Sequence, residues 1–262
     1  MRNFLILNIC LVALLTAAPV NGQITTPQRN VQFRTIDLSN SVAELRNFGS
    51  TDQNLTGWRF CTHDEGEVRQ YSATGGLSGR ILAAGESLFV HFNNDADAAA
   101  ADQINVSSIG GSFAQPLDAN GAYGIQIYFQ TPFGVGANIA DHLQFSEFGL
   151  DDTSADDRSD EAQIGGVWVD QNDWIAVLPE TEMIVFDEST SDSELSDSSN
   201  YENVFSFIQG DIDANGAVNL LDVQPFVDLL SNGVYNPAAD FNLDGTVNLL
   251  DISSFVDVLS GG

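Results

Sequence analysis

Gly121-Ala-Tyr-Gly-Ile-Gln-Ile-Tyr-Phe129 decides the fold class of the larger part of this chain. Ile125, Ile127 and Phe129 alternate with Gln126 and Tyr128, the period of a strand that buries one face. Outward from it, further short apolar runs are predicted as strands: Val31–Ile36, Val42–Asn47, Trp58–Thr62, Ser87–Phe92, His142–Phe145, Gly166–Val169 and Trp174–Val177. Clusters of Asn, Asp and Gly separate them, and no long helical stripe intervenes. Strands at this spacing predict a mainly β fold, a sandwich or barrel over 29–186. The alanines at 98–101 are expected as a short helix or a loop, and the acidic insert Asp151–Glu161 as an exposed loop.

Beyond this region the pattern changes. The run 187–200 is almost wholly Asp, Ser, Glu and Asn, with little to bury, and a solvated linker is expected over 187–203. The last segment, 204–262, contains nearly the same sentence twice. Asp211-Ile-Asp-Ala-Asn-Gly-Ala-Val-Asn-Leu-Leu-Asp222 is followed by Asp240-Phe-Asn-Leu-Asp-Gly-Thr-Val-Asn-Leu-Leu-Asp251. A twelve-residue calcium loop takes oxygen ligands from positions 1, 3, 5, 7, 9 and 12 and turns sharply at a glycine in position 6. The first copy offers Asp211, Asp213, Asn215, the Ala217 carbonyl, Asn219 and Asp222 around Gly216. The second offers Asp240, Asn242, Asp244, the Thr246 carbonyl, Asn248 and Asp251 around Gly245. All-oxygen donor sets suit hard cations, so two Ca2+ ions are expected as cofactors. Val218 and Val247, at position 8, are suited to pairing the loops back to back. Each loop runs into a helical stripe: Val223, Phe226, Val227 and Leu230, then Ile252, Phe255, Val256 and Leu259. Pro225 is tolerable in a first turn, and Gly233 and Gly261 are expected C-caps.

The tandem over Gly210–Gly262 resembles a type I dockerin, a pair of loop–helix half EF-hands with Asp at position 12. The resemblance implies attachment to a cohesin-like or cell-surface protein. Dockerin positions 10 and 11 commonly carry polar partner-reading residues; here they are Leu220, Leu221, Leu249 and Leu250. The Lys-Arg pair that often follows is replaced by Val227-Asp228 and Val256-Asp257, so a partner would meet an apolar, acidic face. These leucines are either partner-binding residues or packing between the two halves. Upstream, Val42-Ala-Glu-Leu-Arg-Asn47, Leu55-Thr-Gly-Trp-Arg-Phe60 and Leu82-Ala-Ala-Gly-Glu-Ser-Leu-Phe-Val90 are similar, in that order, to strings of the lamin-tail domain. That resemblance, over Val31–Leu178, implies an immunoglobulin-like sandwich acting as an interaction module.

Met-Arg-Asn followed by an apolar run from Phe4 to Val20 predicts a secretory signal over 1–22, and hence a secreted or cell-surface bacterial protein with no membrane span after cleavage. Without it Cys61 stands alone, unable to form an internal disulfide, and is expected as a small buried residue. The net charge is −29 and every basic residue is Arg. Nucleic acid and anionic membrane are therefore excluded as expected partners. Such acidity suits a saline medium that screens self-repulsion. Absence of Lys also rules out a Walker-A lysine or a Schiff base.

A catalytic reading finds little. Glycosidases need two carboxylates facing each other across the scissile bond. Glu44, Asp141 and Glu161 are candidates whose spacing pairs none of them, and Glu44 is expected on a solvated strand face. His63, His91 and His142 lack a zinc spacing. No catalytic residue is assigned. Trp58, Trp168 and Trp174, with Tyr123 and Tyr128, could form a stacking platform for sugar rings, although aromatic packing in a core is the commoner use of such residues. The leading expectation is a non-catalytic anchoring protein. The alternatives are a polysaccharide-degrading enzyme or carbohydrate-binding component, and an adhesive protein that self-associates through its Leu-Leu faces.

Overall fold

A computed structural model describes residues 26–64, 70–93, 101–110, 117, 119, 122–149, 158–190 and 195–260. The expected signal segment, alanines 98–100, insert residues 151–157 and Gly261 lie outside the described residues. The strands are β1 (Val31–Asp37), β2 (Val42–Asn47), β3 (Gln53–Asn54), β4 (Arg59–Asp64), β5 (Gln70–Tyr71), β6 (Ile81–Leu82), β7 (Ser87–His91), β8 (Gln103–Asn105), β9 (Tyr123–Tyr128), β10 (Ile139–Glu147), β11 (Ile175–Val177), β12 (Thr181–Phe186) and β13 (Tyr201–Phe205). The helices are α1 (Ser159–Gly165), α2 (Val223–Asn232) and α3 (Ile252–Ser260).

The architecture is mainly β, as the alternation predicts. A six-stranded sheet in the order β13-β12-β1-β2-β7-β8 faces a five-stranded sheet ordered β11-β10-β9-β4-β5, and β3 and β6 form a small third sheet. This arrangement fits a β-sandwich. The core takes Phe33 and Ile36 from β1, Ala43 and Leu45 from β2, Ile125 and Ile127 from β9, and Leu143 and Phe145 from β10. Strand β9 is buried on both faces, with Gln126 and Tyr128 also inaccessible, and not on one as its alternation predicts. The sheets are also joined by a polar bond. The β1–β2 register slips between Phe33 and Thr35, and the β9–β10 register slips between Ile139 and Asp141. Bulges free backbone groups from the ladder. The N–H of Phe33 donates to Asp141 Oδ2 at 2.7 Å across the sandwich.

Three further expectations change. The stretch 187–203 is not a free solvated linker over its described part. Its acids make turns: Asp187 accepts from Ser189, and Asp197 and Asn200 form a reciprocal capping box. Tyr201 is buried, and β13 pairs antiparallel with β12, extending the sandwich to Phe205. Gly166–Val169 is not a strand; Trp168 makes only an isolated bridge to Ser196. The insert ends in α1, which lies on β10 because Gly136 lets its backbone approach. A Cβ on Gly136 would stand 2.0 Å from the Glu161 carbonyl oxygen.

The tail has its own small core of Ile212, Phe226, Ala239 and Phe255. Phe226 and Phe255 come from equivalent positions of α2 and α3, and their rings meet at 4.3 Å. Val247 packs on this core. Gly233 caps α2 in the left-handed conformation that glycine adopts without strain, as its position predicts. Among the described residues no helix is long and apolar enough to cross a membrane.

Candidate metal centre

Each loop is closed by the carboxylate at its end. Asp222 Oδ1 accepts the N–H groups of Ile212 (2.7 Å) and Asp213 (3.0 Å), and its Oδ2 accepts that of Asn219 (2.8 Å). Asp251 repeats this with Phe241 (2.8 Å), Asn242 (3.3 Å) and Asn248 (2.8 Å). Loop starts are equally alike. Asp211 accepts from the N–H groups of Asn215 (2.9 Å) and Gly216 (2.7 Å), and Asp240 from those of Asp244 (3.2 Å) and Gly245 (2.9 Å). Gly216 and Gly245 turn the chain at φ +89° and +79°. Ala214 and Leu243, at position 4, share φ values of +55° and +56°, so both copies accept the same unfavourable left-handed residue.

The result in the first loop is convergence. One oxygen each from Asp211, Asp213 and Asp222 lie within 4.8 Å of one another. Among the described residues no second triple of acidic, His or Cys groups converges this closely. In the second loop the third position is an amide, and the Asp244 carboxylate is turned toward neighbours. It accepts from the Thr246 N–H and hydroxyl and from the Asn242 and Asn248 amides. Asn219 and Asn248 give their side-chain oxygens to the N–H groups of Leu221 and Leu250, at 2.9 and 2.8 Å. Each of these oxygens keeps a second lone pair, and a ninth-position contact in such loops often runs through water.

Electrostatics follow from this crowding. Burial works to raise the Asp222 carboxyl, but three backbone donors outweigh it and hold the group below the usual carboxylate range. The Asp244 carboxyl is also lowered, first by the Thr246 hydroxyl. Asp240 goes the other way: burial raises it, and the charges of Asp251 and Asp244 add to that. Gathered carboxylates repel one another, and a cation among them removes that cost. The donors are all hard oxygens, and oxygens such as Asp222 Oδ2 and Asp240 Oδ2 keep a lone pair after their single backbone bond. This chemistry fits a divalent cation of the calcium class.

The four leucines lie outside this machinery. Leu220 and Leu249 are 82% and 76% exposed, and Leu221 and Leu250 are each 67% exposed. They do not pack the two halves together; Phe226 and Phe255 do that.

Elsewhere the candidates separate. Glu44 is buried, not solvated, because Arg34 reaches it at 3.2 Å and the Ser87 hydroxyl at 2.6 Å. It borders a cavity of about 570 Å3 on the outer face of the six-stranded sheet, with Phe89, His91, Gln103 and Met183. Asp141 lies between the sheets, and Glu161 sits on α1 against Arg158. No two of these three carboxylates face each other across a cleft. His142 is held between Gln126 and Gln144, while His91 meets Gln103. Cys61 is buried. All three tryptophans, with Tyr123 and Tyr128, are buried, so they form no sugar-stacking platform. No family model matches this chain, and no curated protein does.

Two residues at the tail were not singled out by sequence. Phe148, in the turn after β10, and Tyr235, after α2, meet edge to face at 6.2 Å. Only the positive φ of Phe148 (+58°) marks it as unusual, and that is invisible in sequence.

Proposed function

We propose that this chain is a secreted, non-catalytic anchoring protein. Its tail takes up two Ca2+ ions, one held by Asp211, Asp213, Asn215, Ala217 and Asp222, the other by Asp240, Asn242, Asp244, Thr246 and Asp251. Asn219 and Asn248 contribute through water. The loaded tail attaches to a cohesin-like or cell-surface protein through Leu220, Leu221, Leu249 and Leu250. The sandwich, read as an immunoglobulin-like lamin-tail domain, presents a second interaction surface.

The convergence of Asp211, Asp213 and Asp222 in a duplicated loop is the observation that carries this reading. Calcium chemistry explains why two otherwise costly acidic turns are built alike. An ion would bind donors from both ends of one loop and so stabilise the closed form over the open chain. The exposed leucines support attachment, since repeated large apolar side chains at matching positions have no packing role in the monomer. Burial of the aromatic residues removes the sugar-stacking support for the polysaccharide alternative, which is left resting on the tail's resemblance alone.

Calcium titration of the full chain, followed by calorimetry and by far-ultraviolet circular dichroism, tests the reading. Uptake of two ions with a gain of helix is expected. No uptake at millimolar calcium would overturn it. Capture of envelope proteins that requires calcium and is lost in Leu220→Asp with Leu249→Asp tests the attachment face.

A further inference from the structure

We propose that the sandwich completes the second loop and not the first, so that an ion in the second loop fixes the tail against the sandwich while an ion in the first acts on the tail alone. This rests on the calcium reading above. The two loops are alike in sequence and backbone, yet their surroundings differ at the turning glycine. A Cβ on Gly216 would meet nothing within 4 Å. On Gly245 it would meet three ring carbons of Phe148 at 3.2 Å, so that ring lies directly over the second loop.

The path from ring to ion is short. The N–H of Gly245 donates to Asp240 Oδ2 at 2.9 Å, and Asp240 is the first ligand position of that loop. Moving Gly245 moves the carboxylate. Tyr235 closes the same contact from the other side. Its ring stands edge-on to Phe148, and its phenol is close enough to Asp240 to feel that carboxylate's charge. Phe148 is itself firmly placed. Its N–H donates to the Val177 carbonyl of β11 at 2.9 Å, and Gly149 continues the turn at φ +67°. A phenylalanine at φ +58° is unfavourable where Asn or Gly would fit without cost. Nothing in the turn itself calls for an aromatic ring. Its contacts on Gly245 and Tyr235 do. Coupling of this kind is reciprocal: if the docked sandwich strengthens calcium binding at the second loop, calcium strengthens docking by the same factor.

Calorimetric calcium titration of the full chain, wild type and Phe148→Asn, tests this. Asn suits the left-handed turn, so the variant removes the ring without straining β10. The wild type should show two unequal sites, and Phe148→Asn should weaken one by about tenfold, a typical coupling, and leave the other unchanged. Tyr235→Ala should act on the same site. In an Asp211→Ala background, which disables the first loop, the weakening should persist. Small-angle scattering should show the wild type more compact with calcium than with chelator, and Phe148→Asn showing less of that difference. Two bound ions whose constants neither variant moves would overturn the coupling alone. No bound ion in the wild type would overturn the calcium reading with it.

Discussion

Replacing Asp141 by Asn should change how stability depends on pH, by an amount that follows from its position. Burial between the sheets raises this carboxyl to about 7, against the N–H groups of Phe33 and His142 and the charge of Arg29, which favour ionisation. In the unfolded chain the group titrates at roughly 3.9. Between those values the folded state holds a proton that the unfolded state has lost. Asp141 therefore contributes most stability below pH ~4, and that contribution is lost as pH rises to about 7. A shift of about three units corresponds to roughly 4 kcal/mol over the whole window, and about 2–3 kcal/mol of it falls above pH ~5. The Asn oxygen can still accept the Phe33 N–H, so the link between the sheets survives while the titration disappears. Urea unfolding of both proteins at several values between about pH 5 and pH 8, at fixed salt and calcium, measures the difference. Taking variant minus wild type cancels most of the other carboxylates. The Asn protein should gain on the wild type by about 2–3 kcal/mol from the acid to the alkaline end. A gap that stays constant, or moves toward the wild type, would refute the claim that burial governs this carboxyl.

Three further outcomes are expected. Phe226→Ala removes half of the ring pair at the centre of the tail and should cost about 3–5 kcal/mol of tail stability, visible as an early unfolding step that leaves the sandwich melt in place. Gly136→Ala puts a methyl against the α1 backbone and should lower the sandwich melting temperature, whereas Gly216→Ala should act on the tail instead, through its φ of +89°. Leu220→Asp with Leu249→Asp should leave stability within about 0.5 kcal/mol of the wild type in chemical denaturation, because both side chains are already solvated.

Elements were legible where local pattern and tertiary use agree. Val42–Asn47 reads as a strand and is one, because Ala43 and Leu45 alternate into the core. The loop–helix pair was legible because a turn that gathers oxygens needs particular residues at fixed positions. Strand β12 went unread although Ile184 and Phe186 face the core, since Met183–Phe186 is a short unbroken apolar run without polar alternation, set directly before the acidic stretch. That acidic run misled the reading of 187–203: Asp and Ser were counted as solvated, whereas Asp187 and Asp197 use their carboxylates to make turns that deliver Tyr201 to the core. Glu44 misled in the same way, its partner Arg34 being set by the bulge in β1. Phe148 could not be found at all, because its role depends on a glycine almost a hundred residues away.

The chain leaves the sandwich through β13, an edge strand, and only residues 206–210 separate Phe205 from Asp211, where the first loop begins. Once the Phe148 contact on the tail gives way, anything that pulls on the tail loads the ladder at one end, at Ser206–Glu180 and then the Phe205–Thr181 pair. Tension there reaches the hydrogen bonds one after another instead of all together. Asn203, which donates to the Ala176 carbonyl at 2.6 Å in the opposite sheet, ties the strand across the sandwich and is placed to arrest such peeling. Under mechanical stress the yield point of the sandwich would be its last strand, with the loop–helix end coming away whole.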